Sequence, residues 1–342
     1  MSEVLLRVEG MRVHFPVYGG VLQRIVGWLR AVEGVSFTVH RRETLGLVGE
    51  SGSGKTTIAR ALLGILHLTA PDVFIAGIAE FFAREASAPV DLLQLFARRN
   101  RAPRELRQRY RRALQMVFQD PFSSLNPRLS VEDIIGEPLR VHFPELSRAE
   151  IRDRVCQLLE KVGLQPEDRV RYPHEFSGGQ RQRIGLARAL ATHPELVICD
   201  EPVSALDVSI QAQVINLMEE LQEEFGMAYL FIAHDLSVVH HISDRIAVMY
   251  LGHIVEIGSA DDVYFAPKHP YTKALISAVP VADPRYRRER IVLHGEIPSL
   301  LRKPSGCPFH PRCPIARPEC AHELPVLEEK SPGHWVACPY AE

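Results

Sequence analysis

A chain of 342 residues, 46% hydrophobic and 24% charged, is too long for one ordinary compact domain and suits a large core domain with an accessory one; disordered and fibrous classes are excluded. Lys and Arg total 40 against 42 for Asp and Glu, and the net charge of -2 excludes a global electrostatic drive toward nucleic acid or anionic lipid. The most apolar stretches, such as Met227 to Ala233, fall far short of the ~20 residues that cross a bilayer. The opening MSEVLLRVEG also lacks the regions of a secretory signal, so a cytoplasmic chain is expected.

Taken in chain order, residues 4–15 and 31–39 alternate apolar and polar, which predicts antiparallel strands of a small side sheet. The intervening PVYGGVLQRIVGWLR carries turn signals and reads as a loop insertion. Short apolar runs at Thr44–Val48, Leu196–Cys199 and Tyr229–Ala233, each beside a segment of helical period, predict an α/β parallel sheet. The basic run 98–112, RRNRAPRELRQRYRR, reads as a solvated helix or connector. From 128 to 175 the pattern is helical, with Ile151, Val155, Leu158, Leu159 and Val162 on one face. RIAVMYLGHIVEIG predicts a β-hairpin, and beyond about residue 265 prolines accumulate, so a loop-rich extension is expected rather than another sheet layer.

Gly49-Glu50-Ser51-Gly52-Ser53-Gly54-Lys55-Thr56 fits G-x-x-x-x-G-K-[ST] between the strand TLGLV and a helix whose Ile58, Leu62, Ile65 and Leu66 share a face. Its glycines let backbone N–H groups close around phosphate oxygens at a helix N-terminus; Lys55 is expected on the β and γ phosphates, Thr56 on Mg²⁺, and Thr57 within the ATP-binding set. LVICDEP predicts a buried strand with Asp200 and Glu201 at its carboxyl end, where open α/β sheets bind ligands. Asp200 is expected to complete the Mg²⁺ shell, and Glu201 to act as general base on the attacking water.

Between these motifs, Phe176-Ser177-Gly178-Gly179-Gln180-Arg181-Gln182-Arg183 resembles the signature motif of ABC ATPases. Ser177 and the glycines would open a second anion-binding helix N-terminus, and the resemblance implies that Ser177, Gly178, Gly179 and Gln180 serve the ATP of an opposing subunit in a head-to-tail dimer. By the same resemblance Gln119 matches the Q-loop glutamine, a further Mg²⁺ contact; Ser204 to Asp207 match the D-loop and His234 the switch histidine. Phe15 is the best match to the aromatic that stacks on adenine, with Tyr18 and Trp28 as rivals. The implied fold is an ABC ATPase core: a RecA-like parallel sheet with helices, an antiparallel β subdomain and an α-helical signature subdomain at about 120–190. Residues 1–264 would form this nucleotide-binding domain and 265–342 the extension.

FQDPFSSLNPR, EPVSALDVSIQAQV, HPYTKALISAVP and GEIPSLLRKPSGCPFHPRCP resemble the second ATPase of dipeptide and oligopeptide ABC importers over nearly the whole chain. That resemblance implies peptide import, a second ATPase subunit, two membrane permeases, an external solute-binding protein, and a place on the cytoplasmic face of the membrane; related systems move nickel or other small solutes. A DNA-repair or ribosome-associated ABC ATPase would need a coiled-coil insertion or two cassettes, and neither is present. Cys307, Cys313, Cys320 and Cys338, spaced C-x5-C-x6-C-x17-C among prolines, can hold an iron–sulfur cluster or tetrahedral Zn²⁺; the absence of paired C-x2-C knuckles favours a 4Fe–4S cluster, and free thiols remain a third reading. His310, His322 and His334 read as exposed loop histidines, and Cys156 and Cys199 as packing residues.

Overall fold

The computed structural model describes residues 3–20, 23–84, 86–98, 100–120, 124–279 and 290–341. Positions 121–123 of the FQDPFSSLNPR segment, Pro280 of HPYTKALISAVP, residues 21–22 of the predicted insertion and Arg99 of the basic run lie outside the described residues.

β1 (Val4–Gly19) and β2 (Arg24–His40) pair antiparallel along their whole length, and β1 also pairs with β4 (Phe74–Phe81), which carries β5 (Val90–Asp91). The expected loop insertion is therefore corrected: both arms of it continue the strands, with Pro16 opposite Trp28 and Tyr18 opposite Ile25. No alternation betrays these strands because the ribbon runs beyond the core, leaving Tyr18, Ile25, Val26 and Trp28 exposed. Its β-branched and aromatic residues still favour extended backbone.

The second sheet has a parallel centre. β3 (Thr44–Val48) lies between β8 (Ala228–Ala233) and β9 (Arg245–Tyr250), and β8 continues to β7 (Leu196–Asp200) and β6 (Leu114–Val117). β3, β7 and β8 are buried on both faces, which is why they read as unbroken apolar runs. Alternate residues feed two cores: Leu230 and Ile232 pack toward the antiparallel sheet and the helix Lys55–Leu62, while Tyr229 and Phe231 pack toward the helices of the other face. Gly46 allows the helix Leu236–Ile242 to lie directly on β3, since a Cβ there would stand 2.3 Å from Val239.

The helical subdomain contains Val131–His142, Arg148–Lys161 and Gly178–Leu190, capped by the hydroxyls of Ser130, Ser147 and Ser177. Ile151, Val155, Leu158, Leu159 and Val162 are all buried, as their spacing predicts. The basic run forms the helix Arg104–Ala113, which buries Tyr110, leaves Arg104 and Arg111 exposed and half-buries Arg107, Arg109 and Arg112. β9 and β10 (His253–Ser259) form the expected hairpin.

Beyond it the chain is loop-rich, with the helices Ala260–Phe265 and Pro270–Ser277, but one expectation is corrected. β11 (Glu328–Ser331) and β12 (His334–Val336) extend the main sheet through β10. The cause is a buried polar hub. Glu256, fully buried, accepts hydrogen bonds from His334 Nε2 at 2.7 Å, Lys268 N at 2.7 Å and His269 N at 3.0 Å. His334 is thus a buried anchor, not an exposed loop histidine. Among the described residues, no helix is long and apolar enough to cross a membrane.

Candidate nucleotide site

The loop after β3 owes its shape to glycine. Gly52 and Gly54 have φ of 79° and 107°, and a Cβ on Gly54 would stand 2.4 Å from Ala31 O. Lys55, at 5% exposure, turns its ammonium into the loop, donating to Gly49 O at 2.7 Å, Glu50 O at 3.1 Å and Ser53 Oγ at 3.2 Å. Burial pushes its pKa down, opposed by the charges of Glu201, Asp200 and Glu50. A buried cation whose hydrogen bonds go to two carbonyls and a hydroxyl is poised for an anion. Ser51 is exposed at the tip of the loop, and Thr57 is half-buried in the first turn of the helix.

Asp200 lies at the end of β7, almost fully buried, and accepts a hydrogen bond from Thr56 Oγ1 at 2.9 Å. Burial pushes its carboxyl up, with the Thr56 hydroxyl opposing and Glu201 adding repulsion. A hydroxyl and a buried carboxylate beside a phosphate loop are oxygen donors that fit Mg²⁺. Glu201 sits at φ 47°, a left-handed conformation that a non-glycine residue adopts at some cost, and its N–H donates to Ile232 O at 2.8 Å. Gln119 Nε2 donates to Glu201 Oε2 at 2.9 Å, and His234 Nδ1 lies 3.3 Å from the same oxygen. The structure thus brings Lys55, Thr56, Gln119, Asp200, Glu201 and His234 to one place at the carboxyl ends of β3, β6, β7 and β8.

Ser177, Gly178, Gly179 and Gln180 stand elsewhere, at the N-terminus of Gly178–Leu190. Ser177 Oγ accepts from Gln180 N at 3.3 Å, and Gln180 Oε1 accepts from Ser177 N at 3.0 Å. Asp207 caps the helix Val208–Phe225 through Ile210 N at 3.0 Å, and Ser204 Oγ donates to Glu201 O at 3.1 Å. A Cβ on Gly179 would meet Ile210 at 2.5 Å, so this glycine permits the close packing of the two helix starts. Phe15 is half-buried against the antiparallel sheet's core opposite Leu29; Tyr18 is exposed and donates to Asp72 Oδ2 at 2.8 Å, and Trp28 is exposed nearby on the ribbon.

Sequence reasoning missed the residues that grip the loop from outside. Tyr271 OH accepts from Glu50 N at 3.0 Å, and Arg312 donates to both Glu50 carboxylate oxygens at 2.9 and 3.2 Å. No local signal marks either, because the partners are 221 and 262 positions apart.

Cys307, Cys313, Cys320 and Cys338 line one cavity of about 190 Å³. Burial pushes the Cys307 thiol up to about 11 and raises those of Cys313 and Cys338 as well. Among the described residues, no group of three or more His, Cys, Asp or Glu stands in a metal-holding arrangement. The four thiols therefore border a shared space without forming a closed ligand shell. Cys199 is buried in β7 and Cys156 half-buried on its helix, as packing residues.

The ABC transporter family matches residues 32–204, and the C-terminal region of oligopeptide/dipeptide transporters matches 255–320. The chain is 51% identical to the oligopeptide transport ATP-binding protein AppF of Bacillus subtilis, covering 98% of this chain and 97% of the relative. It is 52% identical to the oligopeptide transport ATP-binding protein OppF of Salmonella typhimurium, over 98% and 96% of the two chains. In fold it is similar to cbiO1 of Clostridium perfringens, part of the ABC transporter complex cbiONQ, with a TM-score of 0.60, 25% identity, and coverage of 77% of this chain and 92% of that one. With the phosphate loop, the paired carboxylates and these likenesses in hand, the chain belongs to the ABC transporter family as one of its ATPase subunits.

Proposed function

We propose that this ATPase energises an importer of oligopeptides or dipeptides. The observation that carries the reading is that one chain joins an ABC ATPase site to the C-terminal region of oligopeptide/dipeptide transporters, matched over residues 255–320. In this reading residues 1–264 are the nucleotide-binding domain, with its helical subdomain at about 120–190, and 265–342 are the extension docked on it. Partners would be a second ATPase subunit, two membrane permeases and an external solute-binding protein, with the chain at the cytoplasmic face of the membrane.

At the site, the loop Gly49–Gly54 and Lys55 bind the phosphates, with Thr57 in the supporting turn, and Phe15 offers the adenine platform. Thr56, Asp200 and Gln119 would hold Mg²⁺, which would supply charge neutralisation for the transferring phosphoryl group. Glu201 takes the proton of the attacking water as its oxygen bonds to the γ phosphorus and the bond to ADP breaks, while His234 steadies the γ phosphate. Ser177 to Gln180 close on the nucleotide of the second subunit, and Ser204 and Asp207 set the seam. The closed and open dimers form the two-state element that ATP biases. The four cysteines would supply the thiolates for a 4Fe–4S cluster that would clamp the extension, with Zn²⁺ as the competing occupant.

The test is purification of the tagged chain from membranes. Recovery of two permease subunits with a second ATPase supports the reading; recovery of ribosomes or DNA-repair proteins instead refutes it.

A further inference from the structure

We propose that the C-terminal extension completes the nucleotide site, with Arg312 as a positioning residue that holds the Glu50 carboxylate off Lys55 and off the phosphate position. The inference rests on the reading of Gly49–Thr56 as the phosphate loop. It assigns to the extension a part in ATP binding within its own subunit.

Arg312 ends the turn His310–Arg312, its N–H donating to Phe309 O at 2.9 Å. Its side chain is only 9% exposed, against 25% for Glu50, and the pair is bidentate. A two-pronged guanidinium–carboxylate contact fixes orientation as well as distance, which a lysine cannot reproduce. The guanidinium also donates to Tyr250 OH at 3.3 Å. Below it Tyr250, Tyr271 and Phe309, all buried, pack in tilted and edge-to-face contacts with ring centres 4.7, 5.2 and 5.4 Å apart. Glu50 is consequently held from three sides: its N–H by Tyr271, its carboxylate by Arg312, and its carbonyl by Lys55 Nζ. Two of these three grips come from residues beyond position 265.

The electrostatics give the arrangement a purpose. Lys55 is the buried cation of the loop, and Glu201, Asp200 and Glu50 all act on it. Asp200 and Glu201 have chemical work to do, but Glu50 carries a negative charge into a loop that must accept a polyanion. An unpaired Glu50 carboxylate would draw on the Lys55 charge and repel phosphate oxygens. Arg312 offsets that charge and fixes the carboxylate pointing toward the extension. Burial of Arg312 against the aromatic cluster reduces the screening of the pair by water.

The experiment measures equilibrium binding of a fluorescent ATP analogue with Mg²⁺ to the full-length chain, with thermal melts as a check on folding. Arg312→Ala is expected to weaken binding roughly tenfold, the size of losing one charge-assisted contact, and Arg312→Lys to fall between. Glu50→Gln alone, which keeps the loop backbone and removes only the carboxylate charge, sets the reference affinity against which the double variant is read. The decisive arm is Arg312→Ala with Glu50→Gln, which is expected to recover most of the affinity because the liberated charge is gone. A double variant as weak as Arg312→Ala overturns the proposal, since the arginine would then act only through packing. If Arg312→Ala does not fold, Arg312→Gln with Glu50→Gln carries the same test: binding within about threefold of the parent supports the idea, and a tenfold loss overturns it. Lys55→Ala separates the underlying reading, because retention of binding there discards the phosphate loop assignment itself, whereas its loss beside an unaffected Arg312→Ala discards only the role of Arg312.

Discussion

Replacing Glu201 by Gln changes charge and almost nothing else. The amide keeps the length of the side chain, tolerates the same left-handed backbone at φ 47°, and can still accept from Gln119, now 2.9 Å from the carboxylate. What is lost, on the proposed mechanism, is the proton acceptor beside the γ phosphate position, and general-base catalysis of this kind contributes about 10²–10⁴ in rate. The expected fall in phosphate release is therefore roughly 100-fold or more, equivalent to about 2.7 kcal/mol or more of transition-state stabilisation. Binding of ATP should hold or tighten, because one of the carboxylates acting on Lys55 becomes neutral and the incoming phosphates meet less repulsion. The assay is phosphate release by the assembled transporter at saturating Mg-ATP, with ATP affinity measured on the same preparation. Turnover within about threefold of the parent would refute Glu201 as the base, and loss of binding would refute the claim that it acts mainly on the attacking water.

Three further outcomes follow from the buried polar groups and the cysteines. Glu256→Leu leaves the donors of Lys268, His269 and His334 unpaired, so the fold should lose roughly 3–5 kcal/mol and the extension should become protease-sensitive; an unchanged melt with an intact tail would contradict the buried hub. Lys303 Nζ is buried without a hydrogen-bond partner among the described residues, and burial pushes its ammonium down to about 8. The unfolded chain binds that proton more tightly, so the charge destabilises the fold fully below pH 8 and the cost fades toward 10.5. Lys303→Met should raise the melting temperature by roughly 2–6 °C at pH 7 and by less at pH 10; equal gains at both would contradict the burial cost. Anaerobically purified protein should carry iron and acid-labile sulfide, both lost when Cys307 and Cys320 are replaced by Ser; a colourless protein with stoichiometric zinc would exclude the cluster.

Much of the site was legible because its chemistry is local. Gly49 to Thr56 lie between a strand and a helix in eight consecutive positions, and LVICDEP sets Asp200 and Glu201 by the strand itself. Order along the chain then carried Gln119, Ser177 and His234. The strands at 4–15 and 31–39 show in their alternation, but the outer part of the β1–β2 ribbon reads as a loop because neither face of its tip is buried, and burial on one face is what makes a strand alternate. β11 and β12 were hidden for a different reason: three or four residues cannot show a period, and their register depends on His334 reaching Glu256 across 78 positions. Arg312 is the same case, an arginine between prolines and cysteines whose partner lies in the phosphate loop. Spacing brought the four cysteines together, yet spacing cannot say whether the thiols reach a common centre, because that depends on rotamers and on the metal.

The most direct test of the account is ATP hydrolysis by the complex of this chain with the proposed permeases and second ATPase in proteoliposomes, measured with and without the proposed solute-binding protein loaded with peptide. The account predicts hydrolysis that rises with the peptide-loaded protein, accompanies peptide uptake, and disappears in Lys55→Ala. Hydrolysis indifferent to peptide, or stimulated only when the binding protein carries nickel, would contradict peptide import; hydrolysis that survives in Lys55→Ala would contradict the nucleotide site itself.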